Sequence, residues 1–147
     1  MDTLQPIASI MTRNLICLTP TDSVLEVHNI FKENRIHHIP VVYEGQLVGI
    51  VSKSDYLFFQ KGFSDAEVDS QIEDLRLSTF LVNDIMTKGV ARLKSTDRIS
   101  VAIEIFNENL FHAIPIVDGE KLVGILTTFD IISELSLGKN HKKLKIA

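Results

Sequence analysis

The chain has 147 residues, a formal net charge of −4 and an apolar fraction of 45%, which is typical of one compact domain or two very small ones. The acidic balance argues against the broad positive surface of a nucleic-acid-binding protein. The single cysteine, Cys17, excludes an internal disulfide and a thiolate zinc cluster. No apolar run approaches the ~18 residues of a membrane span, so we expect no membrane insertion.

The two ends of the chain carry few signals. The opening "MDTLQPIASIM" has an acidic second residue and no long apolar run, so it does not resemble a signal peptide, and we expect a cytoplasmic location. The tail 138–147 is locally basic, and we expect it to be solvated and frayed.

The first structural repeat is predicted over residues 7–62. It begins with an extended segment, continues into a helix with one apolar stripe, and ends with a hairpin and a second helix. In chain order these elements are the segment 14–18, a helix opened by Thr21 or Asp22 and carrying Val24, Val27, Ile30 and Phe31, the strands 39–42 and 47–51 joined by "YEGQ", and a helix that starts at Ser52-x-x-Asp55.

Residues 63–81 interrupt the pattern with an acidic amphipathic helix, predicted at 64–77. Ser64 and Glu67 have the spacing of a capping box, and Val68, Ile72 and Leu75 share one helical face. Two roles remain open for this face: it covers the core of its own chain, or it forms a lid or a surface for a partner.

The same elements return over 82–137, 75 residues later and without a gap. Between positions 10–55 and 85–130, 19 of 46 aligned pairs are identical, so we interpret the chain as an internal duplication. The second copy has the extended segment 89–93, a helix opened by Thr96 or Asp97 with the stripe Ile99, Ala102, Ile103 and Phe106, the strands 114–117 and 122–126 joined by "DGEK", and a helix from Thr127-x-x-Asp130. We therefore predict an α/β (α+β) fold of two β-α-β-β-α units related by a pseudo-two-fold axis.

Both copies place a glycine in the second strand and a hydroxyl residue three positions before an aspartate. A strand glycine marks a bulge or a place where another group, such as a ligand phosphate, approaches the backbone. Ser52 or Thr127 at a helix N-terminus suits a phosphate, and the carboxylate of Asp55 or Asp130 suits the hydroxyls of a ribose. The alternative is that these hydroxyls and carboxylates only cap their helices.

The repeated "IMT", the strands "IPVV" and "IPIV", and the endings "LVGIVSKSD" and "LVGILTTFD" resemble the paired CBS (cystathionine-β-synthase) domain, or Bateman module, over about residues 7–137. The resemblance implies a regulatory module, without catalysis, that binds an adenosine-containing ligand such as AMP, ADP, ATP or S-adenosylmethionine in clefts between the two units. The family pattern assigns one site to Thr12, Cys17, Ile36, His37, His38, Thr127, Phe129 and Asp130. It assigns the other site to Ser52, Ser54, Asp55, Thr87, Arg92, Phe111, His112 and Ala113.

Within these sites, Ile36 and Phe111 are expected to hold a flat base, and the histidines or Arg92 to approach phosphates. His37 and His38 favour the Asp130 site, while Arg92 favours the other. Some family members have an arginine where this chain has His38 and Ala113, so affinity for di- and triphosphates is left open.

Other chemistry has less support. Three histidines invite a metal interpretation, but no Cys, Asp or Glu stands at a ligand spacing, and Cys17 and Ser52 lack the signature of an activated nucleophile. We therefore expect no cofactor, no metal and no enzyme activity. The output is expected to pass through a homodimer, with the helices at 24–31 and 99–106 or those after Asp55 and Asp130 at the interface, or through a protein partner. The alternative is a ligand-free dimerisation or scaffold module.

Overall fold

A computed structural model describes residues 1–62 and 69–144 of the chain, with side chains described up to residue 138. The chain forms two compact units. The central unit is Ile16–Val90, and the terminal unit combines Met1–Leu15 with Ala91–Ala147. Each unit contains mixed α and β structure with one two-stranded antiparallel sheet, as the sequence predicts.

The central unit has its elements in the predicted order, and two further helices follow them in the chain. Its elements are α1 (Val24–Glu33), β1 (His38–Tyr43), β2 (Gln46–Ser52), α2 (Lys53–Lys61), α3 (Ser70–Ser78) and α4 (Val82–Ile85). The predicted stripe of α1 is confirmed, because Val24, Val27 and Phe31 are buried and Ile30 packs against them. This core also takes in Ile39, Val41, Val51, Tyr56, Leu77 and Val82.

The terminal unit repeats the plan. A short 3-10 helix (Ile7–Ser9) comes first, and the later elements are α5 (Ile99–Glu108), β3 (Ala113–Asp118), β4 (Lys121–Thr127) and α6 (Thr128–Leu144). Ala102 of α5 is buried in the core, and Ile103 and Phe106 pack against it, as predicted. The same core contains Ile7, Met11, Ile114, Ile116, Leu126 and Ile131.

Both predicted hairpins are confirmed, although their turns differ. Tyr43 pairs with Gln46 around Glu44 (φ 49°) and Gly45 (φ 80°), which is the φ pattern of a type I′ turn. In the second hairpin only Gly119 has a positive φ (63°), as a type II′ turn requires at its first central position. Each ladder also shifts register once, opposite Val48 in the first hairpin and Val123 in the second.

The predicted first strand of each unit is much shorter than the sequence suggests. Only Leu18 pairs with β1, in parallel, through hydrogen bonds from its amide to Pro40 O and from Val42 N to its carbonyl. Leu93 makes the equivalent parallel bridge to Ile116. Thus the β-α-β-β-α plan holds in order, but its first β is a single bridge in each unit.

The predicted N-caps of α1 and α5 are wrong. The caps are Ser23 and Arg98, whereas Asp22 and Asp97 close the preceding loops by accepting from Thr19 N (2.7 Å) and Lys94 N (2.8 Å). The first amides of these helices are satisfied by carbonyls of distant segments: Val24 N donates to Phe80 O, Ile99 N to Gln5 O and Ser100 N to Thr3 O. Tertiary contacts thus assist the local cap of α1, where Ser23 Oγ accepts from Glu26 N (3.4 Å), and replace a side-chain cap at α5.

The compact units do not coincide with the sequence repeats, because each repeat gives its leading "Ile-Met-Thr" segment to the other repeat's sheet. Thr87 forms a two-way backbone bridge with Ile50 in the central unit (3.0 and 2.8 Å). Thr12 forms the same bridge with Ile125 in the terminal unit (2.9 and 3.0 Å). The chain thus crosses from one unit to the other after residue 15 and again after residue 90.

Helix α3 begins at Ser70, and the residue that anchors it in the core is Leu77, which is not part of the predicted apolar stripe. Helix α3 starts after the cap Asp69, and the proposed capping box of Ser64 and Glu67, with Val68, lies outside the described residues. Ile72 is 50% and Leu75 67% exposed, whereas Leu77 is 3% exposed and joins the central core. Of the predicted stripe, Ile72 and Leu75 are therefore largely exposed, and Leu77 is the α3 side chain that joins the core.

The first part of the basic tail is helical, and residues 145–147 lie outside the described part of the chain. Helix α6 continues to Leu144, since Lys and Leu after Gly138 are good helix formers.

Candidate functional site

The Asp55 motif, defined as Ser52 and Asp55, stands where β2 ends and α2 begins. Ser52 caps α2: its Oγ accepts a hydrogen bond from Asp55 N (3.0 Å), and Asp55 Oδ2 accepts from Ser52 N (3.3 Å). Both residues are half-buried. Among the described residues, no hydrogen bond reaches the other carboxylate oxygen, Oδ1. The motif therefore offers one uncommitted anionic oxygen at the N-terminus of a nine-residue helix.

The Asp130 motif, defined as Thr127 and Asp130, occupies the same place between β4 and α6. Asp130 Oδ2 accepts from Thr127 N and from Thr127 Oγ1, both at 2.7 Å, and Asp130 N donates to Thr127 Oγ1 (3.2 Å). In addition, Thr12 Oγ1 donates to Asp130 Oδ1 at 3.3 Å. The structure thus brings together three of the residues that the family pattern assigns to one site: Thr12, Thr127 and Asp130.

These hydrogen bonds make the capping alternative real in both motifs. A capping box satisfies helix amides without any ligand, and both aspartates take part in one. A carboxylate offers about four lone-pair positions, however, and a cap uses only some of them. Capping and ligand binding are therefore compatible, and Asp55 has more free lone-pair positions for a ligand than Asp130.

The residues just before Pro40 and Pro115 lie next to the motif of their own repeat. His37 O accepts from Lys53 N (2.8 Å), and His38 pairs with Ser52. In the terminal unit His112 O accepts from Thr128 N (3.0 Å), and Ala113 pairs with Thr127. The family pattern instead assigns His37 and His38 to the site of Asp130, and that assignment stays a prediction.

The other predicted site residues divide between the units as follows. Cys17, Ile36, Ser54 and Thr87 lie in the central unit, and Arg92, Phe111 and Phe129 in the terminal unit. Ile36 packs against the central core. Phe111 meets Phe106 edge-on, with ring centroids 6.4 Å apart, and Phe129 is 73% exposed.

Cys17 has no environment that would activate a thiol. Its side chain reaches solvent, yet desolvation by neighbouring protein atoms raises the pKa of the thiol above its ordinary value. A raised pKa lowers the fraction of reactive thiolate at neutral pH. This agrees with the interpretation of Cys17 as a non-catalytic residue.

Each strand glycine lies beside a register shift and meets a close neighbour, as expected, and that neighbour belongs to the chain itself. A Cβ on Gly49 would lie 2.8 Å from Met86 Sδ and 2.9 Å from Thr87 O. A Cβ on Gly124 would lie 2.7 Å from Met11 Sδ and 3.0 Å from Thr12 O. The group that approaches each glycine is therefore the chain's own "Ile-Met-Thr" segment, which packs across the strand.

Sequence reasoning missed a polar pair inside the central unit. Tyr56, the residue after Asp55, is 4% exposed, and its hydroxyl lies 2.6 Å from His28 Nδ1. Burial, together with the negative charges of Glu73 and Asp74, raises the pKa of Tyr56 to about 12. The available signal was a break in the repeat, because the second copy has Ile103 and Ile131 at these positions.

The described part of the chain shows neither a cluster of metal-ligating side chains nor a membrane-spanning helix. No three or more His, Cys, Asp and Glu side chains there lie close enough together to hold a metal ion. No helix there is both long and apolar enough to cross a bilayer.

Comparisons with known proteins agree with the duplicated motifs. The family model for the CBS domain matches the chain twice, at residues 7–62 and 82–137. The chain therefore belongs to the CBS domain family, as a tandem pair. Two solved structures with the same fold are CBSX2 of Arabidopsis thaliana in complex with AMP (25% identity, TM-score 0.74, 92% of this chain and 98% of that chain) and the CBS domain pair of protein MJ0100 in complex with 5′-methylthioadenosine and S-adenosyl-L-methionine (25% identity, TM-score 0.71, 92% and 98%).

Several curated relatives are longer proteins. Protein MJ1225 of Methanocaldococcus jannaschii is 29% identical over 90% of this chain, which spans 48% of that protein. Inosine-5′-monophosphate dehydrogenase of Thermoplasma acidophilum is 30% identical over 85% of this chain, which spans only 22% of that enzyme. The chain thus spans half or less of these relatives, and the likeness concerns their CBS portion.

Proposed function

We propose that this CBS pair is a regulatory module that binds an adenosine-containing ligand, namely AMP, ADP, ATP or S-adenosylmethionine, at its Asp55 and Asp130 motifs. The module has no catalytic activity of its own in this proposal and needs no cofactor or metal. Ligand binding biases the protein between two states of different affinity, and a partner or a second copy reads the state.

The observation that carries the proposal is the duplicated hydroxyl and carboxylate at a helix N-terminus. The amides and dipole of α2 and α6 favour a phosphate there, and a carboxylate oxygen accepts hydrogen bonds from ribose hydroxyls. The complexes of CBSX2 with AMP and of MJ0100 with adenosyl ligands support the same ligand class.

We further infer a homodimer as the means of output. The apolar stripe of α1 is already buried within its own unit at Val24, Val27 and Phe31, so the helices after Asp55 and Asp130 are the better candidates for the interface. Helices α2 and α6 instead expose large apolar side chains: Phe58 is 82%, Phe129 73% and Ile132 59% exposed. A second copy that covers these helices would remove that surface from water.

Calorimetric titration with AMP, ATP and S-adenosylmethionine tests the proposal. Asp55→Asn and Asp130→Asn preserve a carbonyl oxygen for the cap but remove the charge. Since a hydrogen bond to a charged group contributes about 1.5–3 kcal/mol, each substitution is expected to weaken its own site by about 10- to 150-fold.

Asp84→Asn is the matched control. Asp84 Oδ2 accepts from Leu81 N at 2.8 Å and so caps α4 as Asp55 caps α2, but Leu81 offers no hydroxyl. This variant is expected to lose some stability and to keep the parent's affinity. Folded Asp55→Asn and Asp130→Asn variants that bind as tightly as the parent would refute the ligand site.

A ligand-free dimerisation or scaffold module remains the second candidate. The capping boxes favour it, because they account for both motifs without a ligand. A ligand at about 100 times its Kd adds about 2.7 kcal/mol to the free energy of unfolding. A thermal-shift screen in which none of the adenosyl ligands raises the Tm, while the protein remains dimeric, would favour the scaffold.

A further inference from the structure

The two motifs differ in how fully their carboxylates are engaged before a ligand arrives. Asp130 receives three hydrogen bonds, from Thr127 N, Thr127 Oγ1 and Thr12 Oγ1. Asp55 receives one, from Ser52 N, and at 3.3 Å this bond is 0.6 Å longer than its 2.7 Å counterpart in the Asp130 motif. Thr87 stands where Thr12 does in the other repeat, yet among the described side chains its hydroxyl makes no bond to Asp55.

The two motifs differ at the carboxylate oxygen Oδ1, which a ligand would need as a hydrogen-bond acceptor. A vicinal diol that binds a carboxylate donates one hydroxyl to each oxygen, or both hydroxyls to the oxygen that the cap does not use. That oxygen is Oδ1 in both motifs and is called the outer oxygen here. At Asp55 the outer oxygen, Oδ1, is uncommitted, so the diol meets no competing donor from the described residues. At Asp130, Thr127 and Thr12 already use three of the about four lone-pair positions, so a diol can place both of its hydroxyls on this carboxylate only by displacing a donor such as the Thr12 hydroxyl.

We propose that Thr12 makes the two sites unequal: its hydroxyl occupies the Asp130 carboxylate in the free protein, so that a diol-bearing adenosyl ligand fills the Asp55 site first. This inference rests on the proposed function. It differs from the role that the family pattern gives Thr12, which is to contact the ligand. It also reverses the order suggested by the histidines, since His37 and His38 favour the Asp130 site in the sequence.

The test is calorimetric titration of AMP into variants that isolate one site. With Asp55→Asn as background the Asp55 site is weakened and the Asp130 site dominates the titration. Adding Thr12→Val removes the hydroxyl while keeping the size and branching of the side chain. We expect Thr12→Val to tighten this site about tenfold, which corresponds to about 1.4 kcal/mol. The matched comparison is Thr87→Val in the Asp130→Asn background, where no hydroxyl is released and binding is not expected to tighten.

The outcomes separate the two proposals. In the parent protein, loss of the tighter of two binding steps in Asp55→Asn, but not in Asp130→Asn, supports the order of filling. Weaker or unchanged binding after Thr12→Val overturns the inference and leaves the proposed function standing. If the parent binds none of the adenosyl ligands, the proposed function fails and the inference fails with it.

Discussion

At the scale of single residues, the buried pair of His28 and Tyr56 distinguishes the two units. The tyrosine hydroxyl and the imidazole nitrogen satisfy one another at 2.6 Å, and the Tyr56 ring also packs against Phe31, with ring centroids 6.0 Å apart. The terminal unit has Ile131 and Ile103 at the same positions, and both pack in its core. A polar pair in one repeat thus replaces an apolar pair in the other.

The pair predicts a loss of stability at high pH. Tyrosine in an unfolded chain has a pKa of about 10, whereas the pKa of Tyr56 in the folded protein is raised to about 12. The folded state therefore holds the proton more tightly. Its contribution to stability is complete below about pH 10 and is lost as the pH rises towards 12. Urea unfolding of the parent and Tyr56→Phe across this range is expected to show a shallower decline in the variant.

At neutral pH the same variant is expected to be less stable by about 1 kcal/mol, because it loses one hydrogen bond. Tyr43→Phe is the control, since Tyr43 is exposed and its loss should leave the alkaline decline as it is in the parent. An identical decline in the parent and in Tyr56→Phe would contradict the assignment.

At the scale of elements, the contact between each strand glycine and the opposite "Ile-Met-Thr" segment dominates the packing of the hairpins. The second group near each added Cβ would be a backbone oxygen, Thr87 O for Gly49 and Thr12 O for Gly124. These oxygens belong to the two-way bridges that attach the segments to their sheets. A side chain at either glycine can be fitted only by moving the bridge.

Gly49→Ala and Gly124→Ala are therefore expected to destabilise the protein by about 1–3 kcal/mol, as overpacking does. Gly138→Ala is the internal control. Among the described atoms outside its own helix backbone, the nearest to its added Cβ would be Met1 N at 3.6 Å. Since alanine in a helix is favoured over glycine, a gain of about 0.5–1 kcal/mol is expected. Chemical denaturation of all three variants measures these changes, and equal effects of one sign would refute the packing argument.

The elements also show what the sequence can predict. The stripes of α1 and α5 and both hairpins follow from periodicity and turn residues, which are local signals. The cap Ser23 has a local signal, since Ser23 and Glu26 have the spacing of a capping box and the Ser23 side chain accepts from Glu26 N. The cap Arg98 has none, because its side chain makes no capping bond and carbonyls from distant segments satisfy the first amides of α5. The site behaves in the same way: the Ser52 and Asp55 spacing is visible in the sequence, whereas the bond from Thr12 to Asp130 spans 118 residues.

At the scale of the whole molecule, light scattering tests the proposed homodimer. We expect a mass near 33 kDa at micromolar concentration, twice the 16.5 kDa of one chain. Phe58→Ser together with Phe129→Ser is expected to shift the protein towards the monomer, because both side chains are exposed on α2 and α6. Tyr43→Ser, which changes an exposed aromatic residue on a hairpin, is the control. A parent mass near 16.5 kDa would end the dimer proposal.

The exchange of leading segments predicts which part of the chain folds alone. A fragment of residues 16–90 contains a complete compact unit, including Val82 and Leu77 of its core and the Thr87 bridge. A fragment of residues 1–75 has the same length but lacks all three. Circular dichroism during urea unfolding is expected to show a cooperative transition for 16–90 and none for 1–75. Cooperative unfolding of 1–75 alone would contradict this.

Because of the exchange, a substitution in one repeat affects the packing of a unit built mostly from the other repeat. Met11 is encoded in the first repeat but packs on Gly124 of the second, and Met86 does the reverse with Gly49. A lesion at Met11 therefore damages the unit built mostly from the other half of the sequence. Compensating changes should arise in crossed pairs, Met11 with Gly124 and Met86 with Gly49. At these positions each repeat packs against a residue that the other repeat encodes.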